Sequence, residues 1–437
     1  MRLFFIIIFN IFFIPALSQA KLFNSKHFEL DNGLKVVVIE NKRAPVVTQM
    51  LWYNVGSKDE AYGKSGIAHF LEHLMFKGTK NYSGGFFSNF ISKNGGTENA
   101  FTSFDYTAYY QVVPSDKIEK IIELEADRMK NLTLTKAQVE IEKKVILEER
   151  RQRIDSEPSS ILDESMRKSL FPNHTYGIPI IGWEHEIKSL EHNDVLSFYK
   201  KFYDPSNAVL VFSGDIDFQK AKTLTKKYYG NIKAKKNKIE RLELEDPPLK
   251  TRLNVQYNHK DVKQQIWKRL YKVKSYNYSP KKGVALDIGL KILAGGSTSI
   301  LYDELVKKEK VLSAIGGYYQ GMSKYYGTIY FYAIPNKNIN FKELEVKIDK
   351  TMRFAVENQI TDKKFEIQKK KYLYDSIYLR DSILQPAQIV GEALTIGLSL
   401  NEIENWNDNI EDLKLEDVIT ELKVFLKNKN FVNGTLK

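Results

Sequence analysis

The segment FELDNGLKVVVIEN, residues 28–41, restricts the fold more than any other stretch. Apolar residues flank Asn32-Gly33, a dipeptide suited to a tight primed turn, so the pattern predicts an antiparallel hairpin. Strand-like runs recur in VVTQMLWYNV, YTAYYQVV and AVLVFSGD, and helical patterns lie between them. Alternating strands and helices alone would suit a parallel sheet. The hairpin turns the expectation to an α+β fold with mainly antiparallel sheets packed with helices.

Two helices carry start signals. DKIEKIIELEADRM opens with Asp116 and Glu119 at capping-box spacing, with Ile118, Ile121, Ile122 and Met129 at helical intervals. TKAQVEIEKKVILEERRQR opens with Thr135 and Gln138 in the same relation, and its pattern runs to about Asp155 before Pro158 interrupts it. The 437 residues exceed what one core usually organises. The charged stretch ending in Pro247-Pro248 is the most linker-like, which divides the chain into domains at 21–235 and 251–437 with a linker at 236–250. Both halves begin with strand-like runs followed by a glycine-bounded helix, the pattern of a weak internal duplication.

Residues 1–20, MRLFFIIIFNIFFIPALSQA, place one arginine before an apolar run and end in small residues, the layout of a signal peptide cleaved after Ala20. The apolar run is short for a membrane anchor, which needs about 20 residues, and no later segment is apolar enough to span a bilayer. A periplasmic or secreted location is expected. With no cysteine, neither disulfides nor thiolate metal sites are available. The formal charge of +12 is dispersed among acids, with no basic stripe interleaved with aromatics, so nucleic acid is not an expected partner.

The chemistry concentrates in GIAHFLEHLMFKGT, residues 66–79. Read as a helix with Ser65 as its N-cap, it puts His69, Glu72 and His73 within one arc of roughly 100°, while Ile67, Phe70, Leu71, Leu74 and Met75 fill the opposite side. Histidines four apart can direct ring nitrogens to one ion, and a carboxylate between them can act as a base; this order is a known metallopeptidase signature. A catalytic zinc usually takes a third protein ligand. Glu140, Glu142, Glu148 and Glu149 are candidates; Glu142 and Glu149, two turns apart, share a face, and spacing does not choose among them.

NVGSKDEAYGKSGIAHFLEHLMFKGT resembles the zinc-binding segment of the pitrilysin-type (inverzincin) metallopeptidases. The resemblance continues through NGGTENAFTSFDYTAYY, EKKVILEE, HTYGIPIIGWEHEIKSL and FYDPSNAVLVFSGDID, covering almost the whole first half. It is looser in the second half, chiefly at LKILAGGSTSILYDEL, and is strongest to zinc-bearing subunits of heterodimeric members. It implies one Zn2+ per chain held by His69, His73 and Glu149. Glu72 would be the general base activating the zinc-bound water, and Glu142 a supporting carboxylate beside a histidine. It also implies two related domains forming half of a clam-shell chamber, with peptide substrate extended along an edge strand at Asn99, Ala100, Phe101 and Thr102.

One departure stands beside the matches. Many members carry an arginine and a tyrosine seven apart in the second domain; here those positions read Val306 and Ser313, and a neighbouring arginine reads Ile300. The resemblance therefore implies a related zinc-less subunit that supplies the pair, or else substitution by Tyr318 or Tyr319 and a nearby lysine within this chain or a homodimer. The expected function is an exported zinc endopeptidase acting on peptides or unfolded segments. The competing expectation is a non-catalytic structural or assembly subunit of the same fold.

Overall fold

The computed structural model describes residues 21–235, 239–241, 244–336 and 340–437. The expected signal segment 1–20 lies outside these residues, as does part of the expected linker. The first sheet contains β1 (Lys26–Glu29), β2 (Lys35–Glu40), β3 (Val46–Tyr53), β4 (Thr97–Thr102), β5 (Thr107–Pro114) and β6 (Ala208–Gly214), in the order β1-β2-β6-β3-β5-β4. Only β2 and β6 pair in parallel. The second contains β7 (Leu253–Tyr257), β8 (Ile266–Lys274), β9 (Leu312–Gln320), β10 (Tyr326–Pro335) and β11 (Phe431–Leu436), in the order β7-β11-β8-β10-β9, and only β7 and β11 are parallel.

Removing β1 leaves two sheets of one topology. In each, the second strand is followed by a helix, Ile67–Leu74 or Pro280–Ala294. Then come a strand pair (β4–β5 or β9–β10) and two long helices, Ile118–Asn131 with Lys136–Arg150 or Phe341–Asn358 with Asp362–Leu379. A last strand, β6 or β11, inserts between the first two, parallel to the first. The fold is thus α+β with two related domains, and the faint duplication in the sequence is a full one in topology.

The halves exchange helices. Pro158–Leu170, from the first half, packs Leu162, Met166 and Leu170 against Leu270, Val432 and Leu436 of the second sheet. Gln385–Ile396, from the second half, packs Ala387, Val390, Ala393 and Ile396 against Val37, Met50, Trp52, Val209 and Val211 of the first. Each sheet therefore has one face closed by its own helices and the other by a helix of the opposite half.

Two local expectations change and one holds. The 28–41 hairpin forms, but Leu30 N–H donates to Leu34 O and Gly33 N–H to Leu30 O, so the loop has three residues, with Gly33 alone in the left-handed region (φ 82°). Asn32 instead ties the loop down, its Nδ2 donating to Tyr229 O and Ile232 O. Thr135 and Gln138 form the expected capping box. Asp116 and Glu119 do not, because the 118–131 helix begins beyond Asp116 and Glu119 accepts from Lys227 and Tyr228.

Candidate metal centre

The 67–74 helix buries Ile67, Phe70, Leu71 and Leu74 and turns its other side toward the 136–150 helix. Its N-terminus differs from expectation. Ser65 is not the cap; its hydroxyl accepts from Trp183 N–H. The buried Glu60 carboxylate accepts from Gly66 N–H (3.0 Å) and Ala68 N–H (2.9 Å), serving the orphan donors of the first turn from outside the helix. Gly66 is required: its φ is 85°, and a Cβ there would lie 2.5 Å from Ile181 O.

His69 and His73 lie one turn apart and meet edge-to-face, with ring centroids 4.9 Å apart. Glu149, at the end of the 136–150 helix, brings Oε2 to 3.8 Å from His69 Nε2 and 3.5 Å from His73 Nε2. One ligand atom from each of the three lies within 4.8 Å of the others, the one such group among the described residues. Ligands bonded tetrahedrally to zinc at about 2.0–2.2 Å stand roughly 3.3–3.6 Å apart, so this spacing fits the ion with a small contraction. Of the other candidates, Glu148 pairs outward with Arg151 and Glu140 with Lys143.

The surroundings sort the protonation states. Burial, with the charges of His73 and Arg153, lowers the His69 pKa to about 3, which keeps its imidazole neutral and able to ligate. Burial also pulls His73 down, but the Glu142 hydrogen bond and the nearby Glu72 and Glu149 charges carry it above the ordinary value. His73 Nδ1 lies 2.9 Å from Glu142 Oε1, while Lys77 Nζ holds Oε2 of the same carboxylate at 2.6 Å. The His73 bond is the main reason the Glu142 pKa is lowered. Glu72 is buried, and that burial raises its pKa against the donated bond from Thr102 Oγ1 at 2.6 Å.

Asn99, Ala100, Phe101 and Thr102 lie on β4, the sheet edge, which pairs only with β5. Ala100 N–H is occupied by Asn99 Oδ1 at 2.9 Å, and Phe101 packs on Trp52. The edge meets the His69–His73–Glu149 group through Thr102 and Glu72. Lys77 and Arg153, which grips Glu149 Oε1 at 2.8 Å, were not anticipated from sequence. Each stands four residues beyond the group it serves or its neighbour, His73 or Glu149, a spacing visible in the chain.

In the second domain, Ile300 is buried, Val306 packs on the core, and Ser313 Oγ donates to Ile334 O at 3.2 Å. Tyr319 is committed, its hydroxyl donating to Lys274 O at 2.6 Å, whereas Tyr318 is 41% exposed.

Comparison with known proteins places the chain in a class. Residues 35–184 match the model of insulinase, peptidase family M16, and residues 189–372 match that of the peptidase M16 inactive domain. The chain is 31% identical to the zinc protease PqqE of Helicobacter pylori over 426 residues, 96% of this chain and 94% of that one. It belongs to the M16 family of peptidases. The beta subunit of the mitochondrial-processing peptidase of Blastocladiella emersonii is 30% identical over 203 residues, 46% of this chain and 43% of that one. The solved structure of a protease from Helicobacter pylori superposes with a TM-score of 0.88 at 29% identity, covering 94% of this chain and 99% of that one. The periplasmic protease PqqL of Escherichia coli shares the fold, with a TM-score of 0.76 at 17% identity; 94% of this chain covers 47% of that one.

Proposed function

We propose that this chain is an exported zinc-dependent endopeptidase that hydrolyses peptides or unfolded segments, working as the zinc-bearing half of a two-subunit enzyme. The observation that carries the reading is the convergence of His69, His73 and Glu149 within 4.8 Å, with Glu72 on the same helix. His69, His73 and Glu149 hold one Zn2+, and the bound ion supplies the Lewis acidity that polarises a peptide carbonyl and acidifies water.

The chain's own groups do the rest. Glu72, aimed by Thr102 and raised in pKa by burial, accepts the proton of the attacking water and returns it to the leaving amine. Glu142 fixes the ring of His73 through Nδ1, and Lys77 fixes Glu142. Substrate lies along the open edge of β4, where its carbonyl replaces Asn99 Oδ1 at Ala100 N–H.

Two observations favour a partner. None of Ile300, Val306 and Ser313 offers a cation or a phenol, and Ile141 and Val145 leave apolar surface on the helix that carries Glu149. A related zinc-less subunit would close half of a clam-shell chamber; a second copy of this chain is the other arrangement. Export rests on the signal-like pattern of residues 1–20, which lie outside the described residues; just beyond them Leu22 and Phe23 are buried, and Glu404 accepts from the N–H groups of Phe23, Asn24 and Ser25. No helix among the described residues is long and apolar enough to cross a membrane.

A non-catalytic assembly role would leave the ligands or the base free to drift, and here all four are together. The test is cleavage of unfolded peptides by the purified chain, alone and with candidate partners, with and without a chelator. Chelator-sensitive cleavage is expected. Cleavage that survives complete zinc removal, or none with any partner while zinc stays bound, would overturn the reading.

A further inference from the structure

A cavity of about 780 Å³ opens between the two domains, beginning where β4 ends, at Ser103 and Phe104, and reaching β9 and β10. Its charges are almost all accounted for. Asp163 is held by Lys268 at 2.7 Å and Glu164 by Arg150 at 2.9 Å. Asp105, Asp287 and Glu392 each accept a tyrosine hydroxyl, from Tyr176, Tyr276 and Tyr106 respectively, and burial pushes all three toward the uncharged form.

Arg167 is the exception. It is the one cation lining the cavity among the described residues, it sits 5.0 Å over the ring of Phe104, and the carboxylate that attracts it, Asp163 one turn back on the same helix, is already held by Lys268. A guanidinium that has lost much of its water and shares its neighbouring carboxylate, Asp163, with Lys268 has no counter-ion of its own, an arrangement that favours an incoming anion. Its planar fork matches a carboxylate in two-point geometry. Because Phe104 is two residues beyond Thr102, a peptide that follows the β4 edge and runs past Thr102 enters the cavity at Arg167.

We infer that Arg167 is a specificity-determining residue that binds a carboxylate of the peptide substrate a few residues from the scissile bond. This rests on the peptidase reading above for the word substrate, but the binding site stands on the cavity and the cation that lines it. A carboxylate can come from an aspartate or glutamate side chain or from the peptide's C-terminus.

The experiment measures binding of unfolded ten-residue peptides to the full-length, zinc-loaded Glu72→Gln chain. Glutamate is scanned through the positions flanking the expected scissile bond, with glutamine controls and with free or amidated C-termini. At one position, or at the free terminus, the carboxylate should tighten binding at least about tenfold, the scale of a charge-assisted hydrogen bond. Arg167→Gln should abolish that gain while leaving the glutamine peptide's affinity in place. Arg167→Glu should favour lysine instead, and Arg167→Lys should restore part of the gain. A preference that vanishes on amidation assigns the terminal carboxylate as the source; one that follows glutamate assigns the side chain. Equal binding of glutamate and glutamine peptides with either terminus, or a preference that survives Arg167→Gln, would overturn the inference. Charge-selective binding lost in Arg167→Gln, in a chain that cleaves nothing with Glu72 intact, would refute the peptidase reading and uphold this one.

Discussion

At His73 one imidazole joins acid–base chemistry to the proposed metal site, with Nδ1 on Glu142 and Nε2 facing Glu149. Its pKa is raised in the metal-free chain, so its protonated form contributes stability that is full below about 6.5 and is lost as pH rises through the raised value. Zinc needs the neutral ring, so its stabilisation runs the other way. The melting-temperature gain on adding zinc should therefore grow from pH 6 to pH 8; a gain that shrinks would contradict the assignment. Glu142→Gln should weaken zinc about 10–100-fold in a competition titration, the range for a partner behind a ligand. At Thr102 the hydroxyl works against burial to hold the Glu72 pKa down. Thr102→Val should move the acid limb of the kcat/KM profile to higher pH, and an unmoved limb would separate Glu72 from catalysis. The arc of His69, Glu72 and His73 was legible because helical spacing alone places them together. Spacing did not choose Glu149 over Glu148, since that choice depends on how two helices cross; the family resemblance alone pointed to Glu149.

Among the elements, the 67–74 helix shows where local signals fail. Ser65 had the right position for a cap, but its hydroxyl serves Trp183, and Glu60 reaches in from the preceding turn. Glu60→Ala would leave two buried N–H groups without acceptors and should cost about 2–4 kcal/mol in a denaturant titration. Asp116 and Glu119 failed for a like reason, a partner from a distant helix at Lys227 and Tyr228. The Thr135 box succeeded because both partners are local and nothing distant competes. In the 385–396 helix, a Cβ at Gly391 would lie 2.0 Å from Trp52 Nε1, inside a ring that is itself buried. Gly391→Ala should destabilise by about 1–3 kcal/mol, as overpacking does.

For the molecule as a whole, the exchange of the 158–170 and 385–396 helices makes the two domains one folding unit. A fragment ending near residue 250 would expose Val37, Met50, Trp52, Val209 and Val211 where the second half covers them. Unfolding followed by far-UV dichroism and by tryptophan fluorescence should give coincident transitions, with Trp52 and Trp267 buried in different domains. Two resolved transitions would contradict the exchange. Nothing in the sequence could have shown it, because an amphipathic helix does not specify which sheet it covers. The duplication, by contrast, left traces in strand and helix order. The missing Arg and Tyr at Val306 and Ser313 were legible as a departure, and the structure adds that Val306 packs on the core and Ser313 donates to Ile334 O.

The most direct test of the central claim is zinc content and peptide cleavage measured together on the native chain and its Glu72→Gln variant, in whatever assembly is active. Both should hold one zinc per chain, while the variant loses about 10²–10⁴-fold in cleavage rate, the scale of general-base catalysis. Cleavage undiminished in the variant, or a native chain that binds no zinc, would contradict it.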